Sequence, residues 1–270
     1  MGRSGILKFK LIMEEKVYFE TSDALRLCGI LSVAKNKTQK CIILCHGITV
    51  DKEEDGIFTN LAYKLCDAGF NVFRFDFRGH GESEGENMDM TVRGEEADIE
   101  AAVQFLQKKN FKEFGIVAAS FGGGAVSLFV SRYPKLVKAL VLWNAVIDYS
   151  ENINPTLPWT KKYWGKPAFK RAEKFGLTTV GGRGFKAGKG LMREIQSIKP
   201  WMKLQAVVVP MLFIHGNEDT AVPYKDSVKY SKLLNANLVT IHGADHGFHD
   251  DPEHAKKADK ATVEFFQKYL

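Results

Sequence analysis

Apolar residues recur along the chain with two alternating periods. Short, nearly unbroken runs of Val, Ile, Leu, Phe and Cys are followed by longer stretches whose apolar positions lie three and four apart. The runs predict strands at 41–47 (CIILCHG), 71–77 (NVFRFDF), 114–119 (FGIVAA), 139–145 (ALVLWNA), 210–216 (PMLFIHG) and 237–243 (NLVTIHG). A strand is apolar at every position only when both its faces are covered, as in a parallel sheet between helix layers. The longer stretches predict helices over 56–68, 92–109, 122–133, 224–234 and 253–270. Gly69 and Pro134 stop two of them, the first as a flexible cap and the second because it has no amide to donate. KVYFET (16–21) and LRLCGILSV (25–33) flank the polar turn Ser22-Asp23-Ala24 and read as a hairpin. The class is α/β: a mostly parallel central sheet flanked by helices, extended at one edge by an antiparallel pair.

The alternation breaks once, between 147 and 209, so the expected organisation is a core of 1–146 and 210–270 with a 147–209 lid inserted between strands 6 and 7. The insertion holds Trp159, Trp164 and Trp201, four prolines, and a glycine-rich piece (TTVGGRGFKAGKG) that reads as a hairpin turning on Gly181-Gly182. That piece is not a phosphate-binding loop, because no Ser or Thr follows Gly188-Lys189. The net charge of +6 is uneven: residues 147–205 carry twelve Lys and Arg against four Asp and Glu, which leaves the remainder slightly acidic. With no zinc-finger spacing, RNP1 pattern or basic heptads, a nucleic-acid partner is not expected.

At 270 residues the chain is long enough to bury a large core without disulfide or metal staples. Its four cysteines, Cys28, Cys41, Cys45 and Cys66, form no CxxC pair and read as reduced, buried thiols. Cys45 beside His46 is the one alternative nucleophile among them. The first sixteen residues lack a signal-peptide core and cleavage site, and no apolar run reaches membrane-spanning length. The expected setting is cytoplasmic, without stable membrane insertion.

Ligands of open α/β sheets bind at the carboxyl ends of the strands, so polar residues just past strand ends carry the functional question. In VAASFGGG, Ser120 stands among very small neighbours between a strand and a helix. Small neighbours let the chain bend tightly enough to lift a hydroxyl to the sheet rim, and the Phe121 amide at the helix start then faces any negative oxygen formed there. Ala118 stands where the usual G-x-S-x-G pattern has its first glycine. A plain helix-capping serine is the competing reading. A serine hydroxyl needs a base oriented by an acid to act as a nucleophile. Asp219 follows the strand ending near His215, and His246 follows the last strand, in the chain order Ser, Asp, His. Asp219 or Asp226 also reads as a helix cap. Gly47 after His46 lets the chain turn so that the Ile48 amide supplies a second donor to an oxyanion.

Other histidines compete for the role of base. His242 reads as packed, His249 and His254 serve only if their loop folds back, and His215 reads as orienting the Asp219 loop. In DFRGHGES, which also holds His80, Asp76 and Arg78 read as holding loops together by an ion pair and hydrogen bonds. No HExxH-like spacing points to a metal, and no cofactor is expected.

Taken together, LCHGIT, DFRGHGES, AASFGGG, HGNEDTAVP and GADHGF resemble the α/β-hydrolase superfamily over nearly the whole chain. Within it the chain is most similar to the serine carboxylesterases of the cinnamoyl (feruloyl) esterase branch, where a modest lid with a hairpin sits between the sixth and seventh strands. The resemblance implies Ser120 as nucleophile, His246 as base, Asp219 as orienting acid, and Ile48 and Phe121 as oxyanion donors. Trp159, Trp164 and Trp201 are the candidate substrate contacts, flanking an apolar or aromatic acyl group. The lid's basic residues are candidate attractors of an anionic group, against the plainer reading of a solvated face. The expected partner is a small-molecule ester, with a homodimer left open. A monoacylglycerol lipase, a serine aminopeptidase or an acyltransferase on the same three residues, and a non-catalytic binding scaffold, are the alternatives.

Overall fold

The computed structural model describes residues 13–36 and 38–270. Residues 1–12, most of the stretch read above for a signal peptide, lie outside the described residues. In chain order the core comprises β1 (Met13–Glu20), β2 (Arg26–Val33), β3 (Lys40–Cys45), α1 (Ile57–Asp67), β4 (Asn71–Phe75), α2 (Val92–Lys108), β5 (Glu113–Ala119), α3 (Gly122–Arg132) and β6 (Val137–Trp143). An intervening segment contains α4 (Ser150–Ile153), α5 (Pro158–Tyr163), α6 (Gly165–Phe175), β7 (Leu177–Val180), β8 (Phe185–Gly188), α7 (Lys189–Ser197) and α8 (Pro200–Leu204). The core resumes with β9 (Met211–Gly216), α9 (Tyr224–Leu233), β10 (Asn237–Ile241) and α10 (Pro252–Tyr269).

Eight strands form one sheet in the order β1-β2-β4-β3-β5-β6-β9-β10. β1 runs antiparallel to β2, and β2 antiparallel to β4. Every other neighbour pair in that sheet is parallel. The unbroken apolar runs follow from this placement. Along β3, Cys41, Ile43 and Cys45 point into the core layer shared with α2 and α3, while Ile42 and Leu44 point into the layer shared with α1 and α10. All five are fully buried. Each aliphatic side chain so buried contributes roughly 1.5–3 kcal/mol. The four cysteines are buried and unpaired. The helix α2 starts where Thr91 accepts from the Gly94 amide at 3.0 Å, a cap worth about 1 kcal/mol.

The segment between β6 and β9 is more helical than its sequence predicts. Pro158 and Pro200 open α5 and α8 at the first helical position, where a missing amide costs nothing. Ala168 and Ala172 bury one face of α6, and Lys166, Lys170, Arg171 and Lys174 stay exposed on the other. Its hairpin, β7 against β8, turns through Gly181 and Gly184 at φ +70° and +76°, values that favour glycine.

Asp76 and Arg78 hold the DFRGHGES loop by ion pairs and hydrogen bonds, each with partners of its own. Asp76 does not pair with Arg78. Asp76 accepts from the Lys52 amide (2.7 Å) and ammonium (2.8 Å) and from the Glu82 amide (2.9 Å). Arg78 reaches Asp98 at 2.8 Å and Asp23 at 2.9 Å. Asp76 thus ties the loop to the stretch carrying Lys52, and Arg78 ties it to α2 and to the turn between β1 and β2.

Candidate active site

β5 lies near the middle of the sheet, between β3 and β6, and delivers Ser120 to its carboxyl edge. Ser120 adopts φ +46°, left-handed backbone that a non-glycine residue holds only when its surroundings enforce it. Here they do. Its amide donates to Trp143 O at 2.9 Å, and its carbonyl accepts from the Val146 amide at 2.7 Å and the Gly123 amide at 3.1 Å. A Cβ on Gly122 would lie 2.5 Å from His46 O, and one on Gly124 would lie 1.9 Å from Tyr149 Oη. These glycines allow α3 to approach β3 and the segment after β6. Ala118, in place of the expected glycine, is fully buried in the sheet, so its methyl packs without disturbing the turn.

The Ser120 hydroxyl donates to His246 Nε2 at 3.0 Å, and His246 Nδ1–H donates to Asp219 Oδ2 at 2.8 Å. His246 stands in the loop after β10, partly exposed to the cleft, and the Asp219 carboxylate is buried. Asp219 also builds its own turn: Oδ1 accepts from the Ala221 amide at 2.8 Å and the Val222 amide at 2.7 Å. His215 Nε2–H donates to Asp219 Oδ2 at 3.1 Å and Val222 O at 3.2 Å, while its Nδ1 accepts from Ser227 Oγ at 2.6 Å. His215 therefore holds the Asp219 loop. Burial alone would raise the Asp219 pKa, but the His246 charge and the two imidazole hydrogen bonds hold it well below the carboxylate range. Burial pulls the His246 pKa down; the Asp219 charge and hydrogen bond, with Glu54 and Asp245, outweigh it and lift it above its ordinary value.

The competing bases lie elsewhere. His242 is exposed just beyond β10, not packed as expected, because the strand ends at Ile241. His254 pairs with Asp250 at 3.0 Å. His249 lines the cleft but makes no hydrogen bond to Ser120.

Opposite Ser120 runs the loop after β3. Ile48 and Phe121 line the cleft, and their amides donate to no protein acceptor among the described residues. His46 is fully buried, with Nδ1–H donating to Gly47 O at 2.7 Å and Nε2 accepting from the Phe77 amide at 3.0 Å. Burial lowers its pKa to about 4, so it is a neutral strut between loops. Burial pushes the Cys45 thiol well up, which removes it as a nucleophile. The Gly47 amide donates to the buried Glu54 carboxylate at 2.8 Å, a contact between loop residues that no periodicity in the sequence signals.

The cleft has a volume of about 420 Å³. Ile48, Val50, Val146, Trp159 and Val222 supply apolar surface beside Ser120. Of the three tryptophans, only Trp159 lines it. Trp164 is buried and stacks on Phe121, with ring centroids 6.1 Å apart. Trp201 stacks on Tyr230 at 5.5 Å. Neither lines the cleft: both rings pack on core aromatics instead. Of the segment's basic residues only Arg183 reaches the cleft, where it pairs with Asp55 at 2.7 Å. The others face solvent or ion-pair outside it, so they give the cleft no attraction for an anion. One cluster among the described residues has metal-like spacing, Cys28, Asp76 and Glu82. The Lys52 ammonium, 2.8 Å from Asp76 and 3.1 Å from Glu82, already supplies its positive charge.

A serine on a strained strand-to-helix turn, within reach of an imidazole backed by a buried aspartate, on a mostly parallel sheet, defines the α/β-hydrolase class. Residues 36–180 match the serine aminopeptidase S33 family, and residues 193–268 match the family of TAP-like proteins. The chain belongs to the serine aminopeptidase S33 family and is a hydrolase of the esterase and lipase type. It is 24% identical over 250 residues to a monoacylglycerol lipase of Mycolicibacterium smegmatis, covering 82% of this chain and 86% of that one. It is 28% identical over 218 residues to a bifunctional esterase/perhydrolase of Acinetobacter calcoaceticus, covering 66% of this chain and 76% of that one. Among solved structures it resembles Est1E from Butyrivibrio proteoclasticus with ferulic acid bound, at TM-score 0.81 and 25% identity over 94% of this chain and 98% of that one.

Proposed function

We propose that the protein is a serine carboxylesterase that works through an acyl-enzyme on Ser120 and accepts hydroxycinnamoyl or other short or aromatic acyl esters. The observation that carries this reading is the unbroken relay from Ser120 Oγ through His246 to Asp219, at 3.0 and 2.8 Å. Ser120 attacks the ester carbonyl as its proton passes to His246 Nε2. The Asp219 carboxylate fixes the tautomer and stabilises the imidazolium that forms. The oxyanion takes hydrogen bonds from Ile48 and Phe121, each donor worth about 3 kcal/mol in the transition state. His246 returns the proton to the departing alcohol, and water, deprotonated by His246, releases the acid. Base catalysis needs neutral His246, so kcat/KM falls as pH drops through its raised pKa.

The 147–209 segment acts as a lid whose Trp159 flanks the acyl group. The likeness to a structure holding ferulic acid supports an aromatic acyl group. Four buried, unpaired thiols fit a reducing compartment such as the cytoplasm. A panel of p-nitrophenyl acetate, p-nitrophenyl octanoate, methyl ferulate, a monoacylglycerol and an aminoacyl anilide tests the assignment. Highest kcat/KM is expected on p-nitrophenyl acetate or methyl ferulate. Turnover dominated by the monoacylglycerol or the anilide would move the protein to the lipase or aminopeptidase reading.

A further inference from the structure

The loop that carries the Ile48 amide has no secondary structure of its own between the end of β3 and α1, except one short turn at Glu54–Gly56. Something must fix the direction of its amides. Three consecutive residues in that turn, Glu54, Asp55 and Gly56, have positive φ, at +46°, +53° and +90°. Two of them are not glycine, so the surroundings must enforce the conformation. Its effect is to fold the Glu54 side chain back under the cleft. The carboxylate is buried there, lines the cleft, and accepts the Gly47 amide at 2.8 Å. Gly47 itself is pressed against the nucleophile: a Cβ on it would lie 2.9 Å from Ser120 Cβ.

The Gly47–Ile48 peptide is thus located from both sides. We propose that Glu54 is a positioning residue, whose carboxylate anchors the Gly47 amide and so aims the next amide, that of Ile48, into the cleft beside Ser120. The proposal rests on the esterase reading and adds a residue to it. A surface acceptor would do this poorly, since water would compete for the Gly47 amide; burial removes that competition.

Charge gives the same residue a second consequence. No basic side chain pairs with Glu54 among the described residues. Its charged neighbours are His246 across the cleft and Asp51 and Asp55 on its own loop. Asp55 is in turn paired with Arg183 and faces His249. Burial, with Asp55 and Asp51, raises the Glu54 pKa to about 7 against the Gly47 amide and His246. Glu54 and His246 are therefore electrostatically coupled, each charge favouring the ionised form of the other. The carboxylate favours protonated His246, so removing its charge lowers the His246 pKa.

The test uses Glu54→Gln and Glu54→Ala, with p-nitrophenyl acetate kinetics from pH 5 to 9 and a melting curve for each. Gln keeps an acceptor for Gly47 and loses the charge; Ala loses both. Glu54→Ala is expected to lose about 10- to 100-fold in kcat with KM nearly unchanged, because the displaced donor acts in the transition state. Glu54→Gln is expected to recover most of that loss and to move the acid limb of kcat/KM to lower pH. A purely structural role would shift no limb. Glu54→Ala within twofold of wild-type kcat overturns the proposal, as does a folded Glu54→Gln with an unmoved limb. If Glu54→Ala fails to fold, Glu54→Asp replaces it: too short to reach Gly47, it should lose kcat yet keep the wild-type limb, and unchanged kcat overturns the idea. A wild-type protein that hydrolyses no ester would instead sink the esterase reading.

Discussion

The sheet rim and the segment between β6 and β9 meet at the same cleft but are held in different ways. At the rim Ser120, Asp219 and His246 are each fixed by several hydrogen bonds with at least one buried partner. Asp219 accepts four, and the Ser120 backbone makes three. The segment reaches the cleft with a half-exposed tryptophan, an exposed arginine at a hairpin tip, and Asp148, Glu151 and Asn152 near its start, where the buried Glu151 accepts four hydrogen bonds from Thr156, Leu157 and Thr160. Its buried aromatics, Trp164 and Trp201, brace it against the core. The rim is built to hold atoms in place against a reacting bond. The Glu151 bonds instead close the segment's own turn and reach none of Ser120, Asp219 and His246.

The largest expected effect follows from that contrast. Asp219→Asn keeps an oxygen for the Ala221 and Val222 amides, so the turn and the melting temperature should survive nearly intact. It also presents an N–H where His246 and His215 donate, which disfavours the productive imidazole tautomer. By analogy with the same substitution in other serine triads, kcat should fall about 10⁴-fold. A loss below tenfold, with the fold intact, would mean the carboxylate does not orient His246.

A much smaller effect is expected at the other region. The Arg183–Asp55 pair joins the hairpin tip to the loop after β3 at 2.7 Å, but its side chains are 58% and 41% exposed. Exposed pairs contribute about 0.2–1 kcal/mol and weaken with salt. Arg183→Ala should therefore raise KM by no more than about fivefold and leave kcat alone. Raising the salt concentration should bring wild type toward the variant, while the variant stays insensitive. A large kcat loss would show that the segment shares in the chemistry and erase the contrast.

The same division governs how much of the molecule can be read from its amino-acid sequence. The strands of the core are legible because both faces of a parallel sheet are covered, which leaves apolar runs such as CIILC. Ser120, Asp219 and His246 are legible because topology places strand ends at one edge, and their chain order fits that edge. The helices of the inserted segment are not, since α5 and α8 are short and open on prolines, and α6 fully buries only Gly165, Ala168 and Ala172. Nor is the choice among the tryptophans: Trp159 lies within α5 and Trp164 just past its end, and which ring faces the core is a matter of packing and not of spacing. Glu54 and the partners of Asp76 and Arg78 are contacts between loops, and loops carry no period that would reveal them.

All of the chemistry described depends on Ser120 having a nucleophilic oxygen at neutral pH. Labelling the intact protein with a fluorophosphonate and mapping the adduct by mass spectrometry tests this without a choice of substrate. A single stoichiometric adduct is expected on Ser120, absent from Ser120→Ala and strongly slowed in His246→Ala. An unlabelled protein, or an adduct on another residue at comparable rate, would contradict the assignment of Ser120 as nucleophile.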